Sequence, residues 1–513
     1  MAKTQNQLLA EALAQVTGSA VGNIVHSKNI KPKQQALLVK QGYLKRIIKG
    51  WYLFDADLSA HTAGESALWF ESIWSFIAQY LTLRFDDNYW LSAEASLDIH
   101  TDNNLMPAQV VIFVKDGTED IIRLPNEMGL LITRSKTKPD SLVEFHDLKI
   151  FSLEMALAKS TPASFKNNPV SMQVALRKAD FDKLADALVR LKNIASAGRI
   201  IGAFDALGMR AESKKMEAII TSVFGAIKII NPFLAEPVIL GGRRGEAASA
   251  GRVRILWQQM RQVVIDGFDQ CKPEFDFYSR PLDETLAMIS ELYVRDAYNS
   301  LSIEGYRVTP ELIERVSKGD WSPDTIKQDK EIKDALAARG YFDAFNNVKA
   351  SLTEAYHRED LSYLIDVGIT QWYTSLFGPC VIAGIVSDSD LAGFRKGPIY
   401  IRKSRHVPPA SEQLMDCMTA LKECIAAETS YPVKAILAHF FLGYIHPFID
   451  GNGRTARFLM NFLFVIGGYG WVIIKQETRD KYMDALEAAS SNENIVPFVE
   501  FILDTIRNAR LEK

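Results

Sequence analysis

Two apolar runs with helical spacing, Val433 to Ile445 and Arg454 to Ile466, are separated by His446-Pro447-Phe448-Ile449-Asp450-Gly451-Asn452-Gly453. Pro447 forbids continuation of the first run, and Gly451 and Gly453 allow backbone turns closed to other residues. Pro432 suits an early position of the first helix. The second helix therefore opens out of a glycine-rich turn. Unpaired N–H groups and the helix dipole make such a start a seat for an anion, phosphate above all.

The side chains in this stretch fit a phosphate. Asp450 is a hard oxygen ligand that could hold Mg²⁺ against phosphate oxygens. Arg454 and Arg457, three apart on one helical face, offer forked donors to a polyphosphate. His446 stands just before the turn as the natural general base, because an unperturbed imidazole titrates near neutral pH. Singly, a histidine before proline, an Asp-Gly pair or two helical arginines are ordinary structural or solvated residues. Together they are the parts that nucleotidyl transfer requires.

The segment His446 to Arg457 resembles the Fic (filamentation induced by cAMP) family motif, HPFx(D/E)GNGRxxR, and matches every specified position. The resemblance implies an AMP transferase with ATP as substrate. His446 would deprotonate a Ser, Thr or Tyr hydroxyl of a target protein or of the chain itself, and the oxygen would attack the α-phosphate. Asp450 would carry Mg²⁺, Gly451 and Gly453 would give amides to the phosphates, Asn452 would help fix the α-phosphate, and Arg454 and Arg457 would bind the β- and γ-phosphates. Kinase-like relatives carry lysine where Gly453 stands, which points to AMP transfer here. Gly393, Phe394, Arg395, Ile399, Tyr400 and Ile401, followed by Val407-Pro408-Pro409, resemble the family's β-hairpin flap, whose open edge would hold a target by strand addition. Arg479 to Leu486 resembles the helix closing the family core, with Tyr482 or Met483 lining the nucleotide pocket.

Upstream, Ser300, Glu304 and Gly305 resemble the family's inhibitory motif, (S/T)xxxE(G/N). A helix from about Asp283 to Glu304 is expected, with Gly305 as its stop. A carboxylate at a helix C-terminus is poorly placed for the macrodipole and gains from a cationic partner. The resemblance makes that partner Arg457, so that Glu304 would block the γ-phosphate and hold activity low. In some relatives the same glutamate positions water to remove AMP, which leaves the reverse reaction open.

At 513 residues the chain is too long for one core, and three domains are expected. The fold class is multidomain and mainly α. A winged-helix domain occupies residues 1–60, an α+β domain 61–235, a linker 236–252, and an all-helical Fic core with its flap 253–513. The linker reading comes from Gly241-Gly242-Arg243-Arg244-Gly245 and Ala247-Ala248-Ser249-Ala250-Gly251. Strands are expected at Val110–Val114, Ile121–Leu124 and Leu130–Thr133, and helices over Phe181–Leu207. A net charge of −3 excludes a polycation that coats nucleic acid or acidic membrane. Four cysteines without CxxC or zinc spacing read as reduced thiols. Met1 to Gln15 has no apolar h-region, so a cytoplasmic location is expected. Phe458 to Ile474 is the most apolar stretch, but Asn461 and the glycines from Gly467 to Gly470 favour a buried core helix over a membrane span.

Residues 1–55 carry eight basic side chains against Glu11 and Asp55. Lys33, Lys40, Lys45, Arg46 and Lys49 are the candidates for DNA phosphates, with a second helix in the major groove and a wing on the backbone. Leu37 to Phe54 resembles the winged helix of AbiEi-type abortive-infection antitoxins, and Tyr89 to Leu97 with the strands after it resembles their second domain. This implies a bacterial toxin–antitoxin setting and operator DNA as a partner. A DNA-binding regulator whose Fic domain senses nucleotide is the alternative reading. The oligomeric state stays open.

Overall fold

Period-two burial builds the strands of the amino-terminal half: in Gln109–Val114 the buried side chains are Val110, Ile112 and Val114. The computed structural model describes residues 5–55, 65–139, 141–234, 237, 246–318, 329–357, 360–387, 391–401 and 404–511. It divides into two compact units, Met1–Ala248 with Ile399–Val407, and Ser249–Pro398 with Pro408–Lys513.

In the first unit, helices Gln5–Ser19 and Pro32–Lys40 precede a hairpin of β2 (Leu44–Ile48) and β3 (Trp51–Phe54). A short strand β1 (Ile24–His26), not foreseen, pairs with β3 to give the antiparallel order β1-β3-β2. Gly50 turns the hairpin at φ 85°, where a side chain would be strained. Ala12, Val16, Leu38, Leu44 and Phe54 pack beneath it. Next comes a mixed sheet of β4 (Tyr89–Leu91), β5 (Gln109–Val114), β6 (Asp120–Arg123) and β7 (Gly129–Arg134) in the order β4-β5-β7-β6, parallel only between β5 and β7. The hairpin β8 (Leu142–Phe145) and β9 (Leu148–Phe151) turns through His146 and Asp147, both left-handed at φ 48° and 61°, which matches strand twist. Helices Phe181–Leu191 and Ile194–Ala206 follow, parted by Lys192 at φ 52°.

The stretch Ile399–Val407 also packs in this unit. The Val407 N–H donates to the Asn104 carbonyl and Asn104 Nδ2 donates to the Val407 carbonyl, both at 2.7 Å. Tyr400 lies against Phe70. The expected hairpin over Gly393 to Ile401 is therefore replaced by bends and irregular chain, with no strand among these residues. Its two halves belong to different units, and Pro398 cannot donate to a ladder. The expected linker needs correction too. Gly241 to Gly245 lie outside the described residues, but Ala248 begins the helix Ala248–Phe268, with Ala248, Ser249, Ala250 and Arg252 buried. Small side chains that read as a linker are here a closely packed first turn.

In the second unit the long helices Asp329–Tyr356 and Leu361–Ile382 meet at Gly340, where a Cβ would lie 2.0 Å from the Leu376 carbonyl oxygen. Helices Tyr431–Ile445 and Asn452–Ile466 are buried on all sides, which explains runs too apolar to be amphipathic. No described helix is long and apolar enough to cross a membrane. Asn461, the polar interruption, donates to the Val472 carbonyl at 3.0 Å and accepts the Val472 N–H at 2.7 Å. It anchors the chain beyond Gly470. Replacing Asn461 with Leu leaves both Val472 groups buried and unpaired and is expected to lower the stability of this unit by roughly 2–5 kcal/mol. Urea unfolding followed by tryptophan fluorescence checks this, and an unchanged midpoint would contradict the assignment.

Candidate active site

Helix Tyr431–Ile445 ends on His446, which adopts a left-handed conformation, φ 51° and ψ 57°, while its N–H still donates to the Leu442 carbonyl at 3.0 Å. Pro447 then takes the chain away. The next helix starts at Asn452 with Gly451 as its cap at φ 81°; a Cβ on Gly451 would lie 2.8 Å from the Phe377 ring. Backbone angle and crowding both demand glycine. Phe448 anchors the turn by stacking on Tyr373, ring centres 3.8 Å apart.

Asn452 is buried and braces the turn: its Oδ1 accepts the Phe448 N–H at 2.9 Å and its Nδ2 donates to the Phe448 carbonyl at 2.8 Å. Asn452 is thus a strut of the loop, and its Nδ2 keeps a second N–H beyond the one given to Phe448. The Gly451 N–H likewise donates to Asp450 Oδ1 at 2.6 Å. Asp450 is otherwise open, its side chain 59% exposed, with Oδ2 3.2 Å from Arg454 Nη2.

The two arginines differ. Arg454 is buried between the Tyr306 and Phe377 rings, each centre 5.1 Å from its guanidinium carbon. Its Nε makes no hydrogen bond, and the Asp450 contact is an ion pair without hydrogen-bond alignment at Nη2. Arg457 is fully engaged: Nε donates to Ser300 Oγ at 2.8 Å, and Nη2 donates to the Ser300 carbonyl at 3.1 Å and to Glu304 Oε1 at 2.7 Å. Burial opposes the Arg457 charge, but Glu304, Tyr482 and Tyr341 together outweigh it and hold the guanidinium more firmly protonated.

Glu304 comes from the end of helix Leu282–Ile303. Gly305, at φ 88°, closes that helix: its N–H donates to the Ser302 carbonyl at 3.0 Å and that of Tyr306 to the Leu301 carbonyl at 3.1 Å, a Schellman arrangement. A Cβ on Gly453 would fall 2.5 Å from Glu304 Oε1, so the carboxylate lies over the first turn of helix Asn452–Ile466. Glu304 thus has a cation and a helix N-terminus as partners, where its own helix end offers neither.

The His446 ring keeps part of its surface open. Nδ1 lies 3.2 Å from the Gly443 carbonyl, which only accepts, so Nδ1 carries the proton and Nε2 the lone pair. Burial lowers its pKa to about 4; the Gly443 carbonyl resists this, Arg395 reinforces it, and Glu304 and Asp450 resist it. The imidazole is held neutral well below the near-neutral value expected of it.

Tyr482 and Met483 part company. Tyr482 is buried, its hydroxyl 2.9 Å from His439 Nε2, and Met483 points outward, 37% exposed. Arg395 is buried against the turn, its N–H donating to the Pro447 carbonyl. Phe394 lies 6.0 Å from the Phe448 ring centre, Gly393 sits at φ 83°, and Ile399, Tyr400 and Ile401 fall in the first unit. In that unit Lys33, Lys40, Arg46 and Lys49 are exposed, and Lys45 pairs with Asp55 at 3.6 Å.

Sequence reading missed Asp296, Tyr306 and His439, and placed Arg395 in the flap without foreseeing its bonds to the turn. Asp296 is buried and accepts from the Tyr341 hydroxyl at 2.7 Å, its pKa raised to about 6 by burial against the pull of Tyr341, Trp471 and Arg457. Asp296, Ser300 and Glu304 recur every four residues on one helix, a period that could have marked the face. Nothing local marks the others.

Residues 377–464 match the Fic/DOC family. The C-terminal region carries a Fic/DOC domain. The chain is 32% identical over 220 residues to "Protein adenylyltransferase Fic" of Culex quinquefasciatus, covering 42% of this chain and 40% of that one. It is 30% identical over 266 residues to the protein of that name in Aedes aegypti, covering 50% and 49%. This chain therefore spans less than half the length of these curated relatives. Among solved structures it is similar to Fic-1 (aa134 - 508) from C. elegans, at 18% identity and a TM-score of 0.38, covering 68% of this chain and 96% of that one.

His439, like His446, is a Fic-domain imidazole kept neutral by burial, with a pKa lowered to about 3 by burial first and Arg457 second. A folded pKa below the unfolded 6.5 contributes stability that is complete above pH 6.5 and is lost as pH falls. Wild type should therefore lose about 1.4 kcal/mol per pH unit more than His439→Gln between pH 6 and 4. Denaturant unfolding at several pH values measures this; parallel curves for the two proteins would refute it.

Proposed function

We propose that the chain is a self-inhibited protein adenylyltransferase that transfers AMP from ATP to a Ser, Thr or Tyr hydroxyl of a target protein or of itself. One observation carries the reading: the Glu304 carboxylate, on Arg457 and over Gly453, lies where a glycine turn, a helix start and a buried guanidinium gather negative charge. A polyphosphate is the anion of matching charge. In the transfer, the target hydroxyl gives its proton to His446 Nε2 while its oxygen bonds to the α-phosphorus; the α–β bridging P–O bond breaks and pyrophosphate leaves with the electron pair. The unbonded Nε of buried Arg454 and the Arg457 guanidinium freed of Glu304 take up phosphate charge.

No cluster of three or more His, Cys, Asp or Glu suited to a resident metal occurs among the described residues. A single open carboxylate, Asp450, fits Mg²⁺ held mainly by phosphates and water. When bound, that ion would neutralise phosphate charge. The Glu304 side chain is 29% exposed, which also favours a second reading, water held there for removal of AMP.

For residues 1–60 we propose a winged-helix, AbiEi-like module that binds operator DNA, with 61–235 as its regulatory partner. The helix–helix–hairpin order and the exposed Lys33, Lys40, Arg46 and Lys49 support it. Lys45, paired with Asp55, contributes less.

With α-labelled ATP, Glu304→Gly is expected to raise labelling of the chain or a partner by roughly 10- to 100-fold. Adding His446→Ala should lower that rate by about 10²–10⁴-fold. Equal label in both would defeat the reading. Anisotropy titration of the gene's upstream duplex should show affinity falling steeply with salt, and Lys40→Ala with Lys49→Ala should reduce the log–log slope by about 2. Binding indifferent to salt would remove the DNA module.

A further inference from the structure

Arg395 makes a pattern of bonds that no docking residue would. It is 5% exposed, and its guanidinium serves three carbonyls from separate stretches: Nε donates to His446 O at 2.9 Å, Nη1 to Gly397 O at 2.7 Å, and Nη2 to Pro409 O. Its own N–H donates to the Pro447 carbonyl at 2.9 Å. One residue thus grips two consecutive carbonyls, 446 and 447, where the chain leaves its helix. His446 is left-handed at that point, which costs a non-glycine residue on the order of 1–2 kcal/mol and persists only where its surroundings over-determine it. The ring is fixed separately, through Nδ1 to the Gly443 carbonyl.

We propose that Arg395 is the positioning residue of the general base, its fork locking the His446 backbone and thereby the aim of the imidazole. This rests on the reading of His446 as the base. Arginine suits the task because a planar fork reaches three acceptors at fixed angles, whereas an ammonium is a compact point charge. Three charges face the His446 ring: Arg395 from the connecting segment, Glu304 from the end of helix Leu282–Ile303, and Asp450 from the turn. The guanidinium opposes a proton on the ring, and the two carboxylates favour one. Geometry and charge are therefore separable. Lysine at 395 keeps the charge and loses the fork; glutamine loses both.

The test uses the full chain with Glu304→Gly. Arg395→Lys should lower kcat by about 100-fold, the effect of displacing a catalytic group by roughly 1 Å, and leave KM for ATP unchanged. In parallel, protein labelled with ¹³C-histidine is titrated, with His446 assigned by loss of its signal in His446→Ala. The His446 midpoint should stay low in Arg395→Lys and move toward 6.5 in Arg395→Gln. Transfer by Glu304→Gly alone separates the two readings: without it the reading of His446 as the base fails, and with it the kcat of Arg395→Lys decides the role of Arg395. Unchanged kcat in Arg395→Lys, a KM that rises in step with the loss, or a midpoint in Arg395→Lys that moves as far as in Arg395→Gln, so that charge and fork are not separated, would overturn the proposal. Should Arg395→Gln fail to fold, the kcat and KM of Arg395→Lys decide alone.

Discussion

Two helices packed on every side must be joined without leaving polar backbone buried and unpaired. The turn from His446 to Gly451 meets that constraint with two left-handed residues, a proline and the Asn452 amide, which pairs both backbone groups of Phe448. The imidazole stands at the end of one helix and free N–H groups begin the next. Phe448 stacks on Tyr373, so the placement of His446 relative to the start of helix Asn452–Ile466 is set by packed rings and short hydrogen bonds.

The Glu304–Arg457 contact is an ion pair of modest energy. Arg457 is buried, but Glu304 is 29% exposed, which puts the pair between a surface bridge of about 0–1 kcal/mol and a buried one whose rupture costs about 3–5 kcal/mol. Ser300 holds the same guanidinium through its hydroxyl and its carbonyl, so departure of Glu304 leaves Arg457 oriented. Arg454 is instead stacked between Tyr306 and Phe377. The end of helix Leu282–Ile303 and the residues just after it therefore meet one arginine by charge, through Glu304, and the other by ring contact, through Tyr306.

Proton chemistry follows from the same packing. Burial holds both His439 and His446 neutral, and at His446 the acceptor-only Gly443 carbonyl fixes which nitrogen carries the proton. Asp296, one turn below Ser300, is pushed the opposite way and lies beside Tyr341. Dense surroundings keep these three groups from charging freely.

Chain stereochemistry made part of this legible in the residues alone. Pro447 has no N–H to continue a helix, Gly451 and Gly305 take backbone angles that other residues resist, and the apolar periods of Leu282–Ile303 and Asn452–Ile466 mark helices without knowledge of their neighbours. Those are local constraints, so the sequence determined them. The inward turn of Arg395, the pairing of Asn104 with Val407 in place of a hairpin, the stacking of Tyr306 on Arg454 and the depressed pKa of His446 were decided only by tertiary structure. Each depends on atoms brought close from distant positions, and a side chain of fixed chemistry can serve a surface or a core until its partners arrive.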